Sequence, residues 1–335
     1  MKTRLERPKR SRTQPGIARN NRVARRVRPK QLLIKKILVP VDFSRPSIEA
    51  VKYATSIAAE FGAELHLVYV HSDDEPGVVS PPMGLLMTCD EAIRSAQKHL
   101  RELPAKHEIR FRVDHCHVVC GRPFEEICKL AETIAADLIV LPTRGNSGLK
   151  RLVLGSTAER VVRFAKCPVL IPRGKKFRLG ALDCEHADFV VAKILVPLDF
   201  SQCSLVGLDY AAVLARHFSA KLCLFHAVFP YDRMIAPDSI GNVLTATDQL
   251  VDVANEQMIL LKTRTSLRDL EIETRVAVGY PVDQIVSQTG NDEFNLIIST
   301  THGRAGFTHA LIGSVAEHIV RYAECPVLIV PATGA

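Results

Sequence analysis

Pro142-Thr143-Arg144-Gly145-Asn146-Ser147-Gly148-Leu149-Lys150-Arg151-Leu152-Val153-Leu154-Gly155-Ser156-Thr157 is a stretch that the chain carries twice. Its second version is Thr300-Thr301-His302-Gly303-Arg304-Ala305-Gly306-Phe307-Thr308-His309-Ala310-Leu311-Ile312-Gly313-Ser314-Val315. In both, an apolar run (Leu138–Leu141; Leu296–Ile298) leads into a Gly-rich loop, and nine residues separate the first loop Gly from a Gly-Ser pair. A helical pattern follows each Gly-Ser. Strand, Gly loop, Gly-Ser and helix suit phosphate: glycine lets backbone approach closely, and the first N–H groups of a helix face an anion. One copy would pass as turn punctuation in an α/β fold. Two copies at the same internal spacing favour a phosphate site.

The repetition extends well beyond the loops. Lys36-Ile37-Leu38-Val39-Pro40-Val41-Asp42-Phe43-Ser44 returns as Lys193-Ile194-Leu195-Val196-Pro197-Leu198-Asp199-Phe200-Ser201. Gly121-Arg122-Pro123 returns as Gly279-Tyr280-Pro281, and Cys167-Pro168-Val169 as Cys325-Pro326-Val327. The offset is 157 at the first pair and 158 at the others, so the chain is a duplicated domain with one residue of difference. The boundaries read as a basic tail at 1–34, a first domain at 35–172, a polar linker at 173–191 and a second domain at 192–335.

Within the first domain, Ile37–Val41 is a continuous apolar run, as in a strand buried on both faces. Ile48, Val51, Ala54, Ala58 and Phe61 then recur at helical spacing. Leu65–Val70 reads as the second strand, Asp90–Leu103 as a helix and Phe111–Val119 as the third strand. Pro123 opens a helix to Ala135, since a proline's missing N–H costs nothing in a first turn. Leu138–Leu141 is the fourth strand, Ser156–Ala165 a helix and Val169–Ile171 the fifth strand. The second domain follows with Leu222–Val228, a long helix Thr247–Thr265, Ile272–Val278 and Val327–Val330. Strands alternating with helices predict an α/β fold of two doubly wound domains, each a five-stranded parallel sheet flanked by helices. Ligands of such sheets sit at the carboxyl ends of the strands, where the strand order reverses. Asp42 and Asp199 end the first strands, and the Gly loops follow the fourth. If those strands are neighbours, each Asp faces a phosphate cradle. The Asp can accept from an amino group or ribose hydroxyl, or it can simply stop the strand as an N-cap or Asx-turn residue.

Charge divides unevenly along the 335 residues. Residues 1–30 hold twelve Lys or Arg against Glu6 alone, whereas the rest of the chain sums to −3. That tail has no apolar period and is expected to be disordered. It reads either as a nucleic-acid arm, since Arg clusters bind phosphate, or as a solvated segment. The lack of interleaved aromatics favours the second. No apolar run reaches membrane-spanning length, and nine scattered Cys argue for reduced thiols in a cytoplasm.

Other chemistry is thin. His115, Cys116, His117 and Cys120 look metal-like, but alternation along a strand sends the His pair and the Cys pair to opposite faces, so a structural strand is the simpler reading. Cys167 and Cys325 read as buried packing residues. No Gly-x-x-x-x-Gly-Lys-Ser/Thr or Gly-x-Ser-x-Gly element occurs, and no Ser nucleophile is identified.

Pro-Val-Asp-Phe-Ser at 40–44, Pro-Leu-Asp-Phe-Ser at 197–201, the two Gly loops and the two Cys-Pro-Val-Leu endings together resemble the universal stress protein family in its tandem form. The likeness spans roughly residues 35–172 and 192–331. It implies that the two domains pair through their last strands. In the family's nucleotide-binding branch it implies ATP, with or without Mg, as a regulatory or sensing ligand hydrolysed slowly at most. Carried over by position, the Pro40 carbonyl and Asp42 would meet ribose and adenine, and the Val70 backbone adenine. Gly145, Gly155, Ser156 and Thr157 would meet the phosphates. The second copy offers Pro197, Asp199, Ala227, Gly303, Gly313, Ser314 and Val315. The resemblance also implies a chain able to dimerise. One departure stands out: the family pattern has a further Gly three residues before the loop Gly, where this chain has Pro142 and Thr300. A side chain there would crowd the ribose or first phosphate, which makes a nucleotide-free scaffold the alternative. The second copy's His302-Gly303-Arg304 matches the family loop better than Arg144-Gly145-Asn146.

Overall fold

The computed structural model describes residues 34–72, 89–107, 109, 113, 115–142, 155–173, 189–230, 240–290, 293–301 and 313–331. The tail and most of both Gly loops, including Gly145 and Gly303, lie outside the described residues. The first half runs β1 Lys36–Pro40, α1 Arg45–Phe61, β2 Glu64–His71, α2 Cys89–Lys106, β3 His115–Cys120, α3 Pro123–Thr133, β4 Leu138–Val140, α4 Ser156–Phe164 and β5 Val169–Ile171. The second runs β6 Lys193–Pro197, α5 Gln202–Phe218, β7 Lys221–Val228, α6 Ile240–Lys262, β8 Ile272–Val278, α7 Pro281–Ser287, β9 Leu296–Thr300, α8 Ser314–Tyr322 and β10 Val327–Val330.

β1 is apolar without alternation because both of its faces are covered. Ile37 and Val39 enter one core, with α1 and α2; Leu38 enters the other, with α3 and α4. α1 begins where the Ser44 hydroxyl accepts from the Ser47 N–H at 3.3 Å, with a proline in the first turn. It ends at Gly62, whose φ of 62° is the left-handed stop that favours glycine. α5 starts the same way on Ser201 but stops on Ser219 at φ 53°, a conformation that a side chain opposes.

The strands form one sheet of ten, in the order β3-β2-β1-β4-β5-β10-β9-β6-β7-β8. Each half is parallel, and the expected junction of last strands is present: β5 and β10 pair antiparallel, with Leu170 opposite Leu328. Both cores therefore run unbroken across the junction.

Element ends differ most from the sequence expectation in three places. α2 continues past Pro104 to Lys106, although proline forfeits an intrahelical N–H and crowds the preceding turn; its carbonyl still accepts, here from Ile109 at 2.8 Å. The long helix spans Ile240–Lys262, earlier at both ends than its apolar pattern indicates. β3 is described only from His115, residues 110–112 and 114 lying outside the described set.

Candidate functional site

β1 pairs with β4 (Ile37 opposite Leu138), and β6 with β9 (Ile194 opposite Leu296). The strand ending in Asp and the strand entering the Gly loop are thus neighbours at the switch point of each half. The Val41 N–H donates to the Val68 carbonyl at 2.8 Å and carries the pairing one residue past β1. The chain then turns through Phe43, held at φ 61°. This turn lets Asp42 Oδ1 accept from both the backbone N–H of Ser44 (3.0 Å) and its hydroxyl (2.5 Å). Ser44 in turn caps α1, so a short relay ties the carboxylate to the helix start. The second half repeats it: Asp199 Oδ1 accepts from Ser201 N–H at 3.0 Å and Oγ at 2.6 Å, and Phe200 sits at φ 62°. The Asx-turn reading is therefore realised in both copies; a carboxylate, with two oxygens, can make that turn and also meet a ligand.

A phenylalanine in the left-handed region costs roughly 1–2 kcal/mol. Ring contacts hold it: Phe43 lies 5.2 Å from Tyr69, and Phe200 lies 4.5 Å from His226. His226 is fixed by Nδ1 against the Leu198 carbonyl at 2.7 Å. Sequence reading missed this strained residue, although its signal was present as an aromatic between Asp and Ser in both copies.

At the starts of the helices that follow the Gly loops, Gly155 is the N-cap of α4 and Gly313 of α8, and neither start has a side-chain cap. Their carbonyls accept the first intrahelical bonds, from Glu159 and Glu317 at 3.0 Å. The N–H groups of Ser156 and Thr157, and of Ser314 and Val315, precede those bonds and have no partner within the helix. α1 and α5, by contrast, are capped by serine, and α3 and α7 open on prolines. Gly155 and Gly313 have φ of −62° and −61°, which any residue adopts. Torsion does not select glycine there; the missing side chain does. In the second half the loop closes on itself, since Gly313 N–H donates to the Thr301 carbonyl at 2.7 Å.

The remaining candidates fall where their strands put them. Pro40 is buried opposite Val68, Pro197 half-buried opposite Phe225, Val70 opposite Val119, and Ala227 opposite Ala277. Pro142 is buried. Thr300 is 7% exposed, and its γ-methyl lies 3.0 Å from where a Cβ on Gly207 of α5 would stand, so that methyl packs against the helix. Cys325 is buried as expected, but Cys167 at the equivalent position is only half-buried, a correction to the sequence reading. Burial still pushes the Cys167 thiol up to about 12, and Cys128 and Cys223 to about 11, leaving them protonated at neutral pH. On β3, Cys116 packs toward the α1 core, while His115 and His117 turn to the other face, as alternation requires.

Comparison with known proteins agrees with this architecture. The model of the universal stress protein family matches residues 33–173 and again 191–331. The chain belongs to the universal stress protein family. A universal stress protein of Mycolicibacterium smegmatis is 26% identical over 309 residues, covering 88% of this chain and 96% of its own length, so the tandem form is shared. One from Methanocaldococcus jannaschii is 38% identical over 154 residues, 45% of this chain and 88% of its own. The crystal structure of a universal stress protein from Archaeoglobus fulgidus superposes with a TM-score of 0.58 at 21% identity, covering 89% of this chain and 98% of that one, a likeness of fold. Among the described residues of this universal stress protein, no helix is long and apolar enough to cross a membrane.

Proposed function

We propose that this universal stress protein binds adenine nucleotide, ATP with or without Mg, as a regulatory or sensing ligand. The observation that carries the reading is a duplicated arrangement: an Asp-bearing, strained turn ends one strand, and the neighbouring strand leads through a Gly loop to a helix start lacking a side-chain cap. The donor set fits a phosphate: N–H groups without a partner in their own helix and an exposed hydroxyl, Ser156 or Ser314, at a glycine N-cap. Asp42 and Asp199, with the carbonyls of Pro40 and Pro197 and the backbones of Val70 and Ala227, would take ribose and adenine. Gly145 and Gly303 would complete the phosphate loops. The ligand is held, with slow hydrolysis at most, because no base among the described residues is identified to activate water. Binding that orders the loops would shift how the paired halves, or two whole chains, meet a partner.

The second reading, a nucleotide-free scaffold working through protein contacts, is favoured by Pro142 and Thr300 at the place of the family's Gly. Isothermal titration of the full chain with ATP separates the two. Micromolar binding, weakened at least tenfold by Asp42→Ala with Asp199→Ala, supports nucleotide; absent or millimolar binding supports the scaffold.

A further inference from the structure

The histidines that looked metal-like in the sequence meet partners from the neighbouring strand. His66 of β2 stands opposite His115 of β3, and Val68 opposite His117. Partners in a parallel pair point to the same face, so Glu64, His66, His115 and His117 share one face at the sheet edge. His66 is 4% exposed, whereas Glu64 and His115 are exposed, so one ring is anchored and two groups lie at the rim. One ligand atom from each of Glu64, His66 and His115 lies within 4.8 Å of the others. His66 Nε2 is 3.5 Å from Glu64 Oε2, and the His66 and His115 ring centroids are 4.4 Å apart. The second nitrogen of His66, Nδ1, lies 3.2 Å from His117 Nε2.

We propose that Glu64, His66 and His115 form a site for a borderline divalent ion of the zinc type, with His117 as the positioning residue for His66. Two imidazoles and one carboxylate suit zinc, and three protein ligands leave a position for water. Tetrahedral zinc with bonds near 2.1 Å needs ligand atoms roughly 3.4 Å apart. The Glu64–His66 pair already meets this, and the remaining closure falls to side chains at the rim. A hydrogen bond from Nδ1–H of His66 to His117 sets the tautomer that leaves Nε2 to the metal. Lys36, the cation at this end of β1, donates to the Ile134 carbonyl at 3.2 Å.

The second half supplies an internal contrast. The same register there pairs Cys223 with Glu273 and Phe225 with Arg275. Lys193 and Arg275 bind Glu273 and Glu293 at 2.5–2.8 Å, a closed network of ion pairs. The duplicated fold therefore does not require histidines at this edge; the first half alone assembles them.

The site is independent of the nucleotide reading and is tested on the full chain with Zn(II), Mg(II) and Co(II). Calorimetry should show one Zn(II) bound in strong preference to Mg(II). The variant Glu64→Gln with His115→Gln, at two exposed positions and with folding checked by circular dichroism, should lose about a hundredfold or more in affinity, as removal of two of three ligands demands. His117→Ala should lose about 10–100-fold, the cost of removing a hydrogen-bonding partner behind a ligand. Bound Co(II) should show tetrahedral d–d bands without a thiolate charge-transfer band. No zinc uptake, unchanged affinity in the Glu64→Gln/His115→Gln variant, or a thiolate band from the free cysteines would each overturn the proposal.

Discussion

Phe43 and Phe200 occupy a conformation that their side chains oppose, and both follow the strand-end Asp. Strain repeated at one position of two copies, and held by a ring contact in each, marks a turn whose geometry is used. Through it Asp42 and Asp199 accept from the backbone N–H and hydroxyl of Ser44 and Ser201. Asp199→Asn keeps an acceptor for Ser201 and should change unfolding free energy by no more than about 0.5 kcal/mol in urea titration. Asp199→Ala removes the turn and should cost about 1 kcal/mol more than the Asn variant, with the N-cap serine set adrift. A second residue-scale test lies at the helix stops. Ser219 and Gly62 hold equivalent left-handed positions, φ 53° and 62°. Ser219→Gly should therefore stabilise the chain by about 0.4–1 kcal/mol and Gly62→Ser should destabilise it by a similar amount or more, read from urea midpoints.

At the scale of elements, the junction of β5 and β10 decides whether two domains or one body exists. Leu170 and Leu328 face each other there and are 3% and 4% exposed. Leu328→Ala should cost about 2–5 kcal/mol, and the loss should appear as separation of one unfolding transition into two, monitored by calorimetry. Arg173 adds a polar clasp across the same seam. Its guanidinium Nη1 donates to the Val320 carbonyl at 2.5 Å and the Ala323 carbonyl at 3.4 Å, at the C-terminal end of α8. A cation there meets orphan carbonyls and the negative end of the helix, so Arg173→Ala should cost about 1–2 kcal/mol. His217 joins the halves on the helical side, donating from Nε2 to Glu60 Oε1 at 2.8 Å and stacking on Phe61 at 4.6 Å.

Across the whole molecule, charge is arranged differently in the two halves although the backbone repeats. Hydrogen bonds from Arg275 and then Lys193 hold the Glu293 carboxyl at about 2, well below its ordinary 4.5. A carboxylate depressed on folding stabilises the native state above its unfolded pKa and loses that contribution as pH falls through the folded one. The window is thus roughly pH 4.5 down to 2, and the effect is moderated by solvent at this partly exposed site. Urea midpoints measured across that window should fall less steeply in Glu293→Gln than in the unaltered protein. The first half lacks this network and places histidines at the same edge.

Much of this protein was legible from one chain. Duplication and the alternation of strands with helices follow from local pattern, because continuous apolar runs specify strands buried on both faces; the pairing of last strands came from the family resemblance, and the adjacency of the Asp and Gly-loop strands was settled by the sheet register. The helix starts at Pro123 and after the Gly-Ser pairs were readable for a related reason: proline and glycine act on backbone groups within a few residues of themselves. What pattern could not supply was anything set by partners remote in sequence. The left-handed phenylalanines depend on rings from the next strand, Thr300 is spent on Gly207 of a distant helix, and Cys167 lies closer to solvent than its buried counterpart Cys325. His115 and His117 were visible in the sequence, but His66 and Glu64 lie about fifty residues away and join them only through strand register. Register is a property of the assembled sheet, and so the chemistry at its edge was decided there.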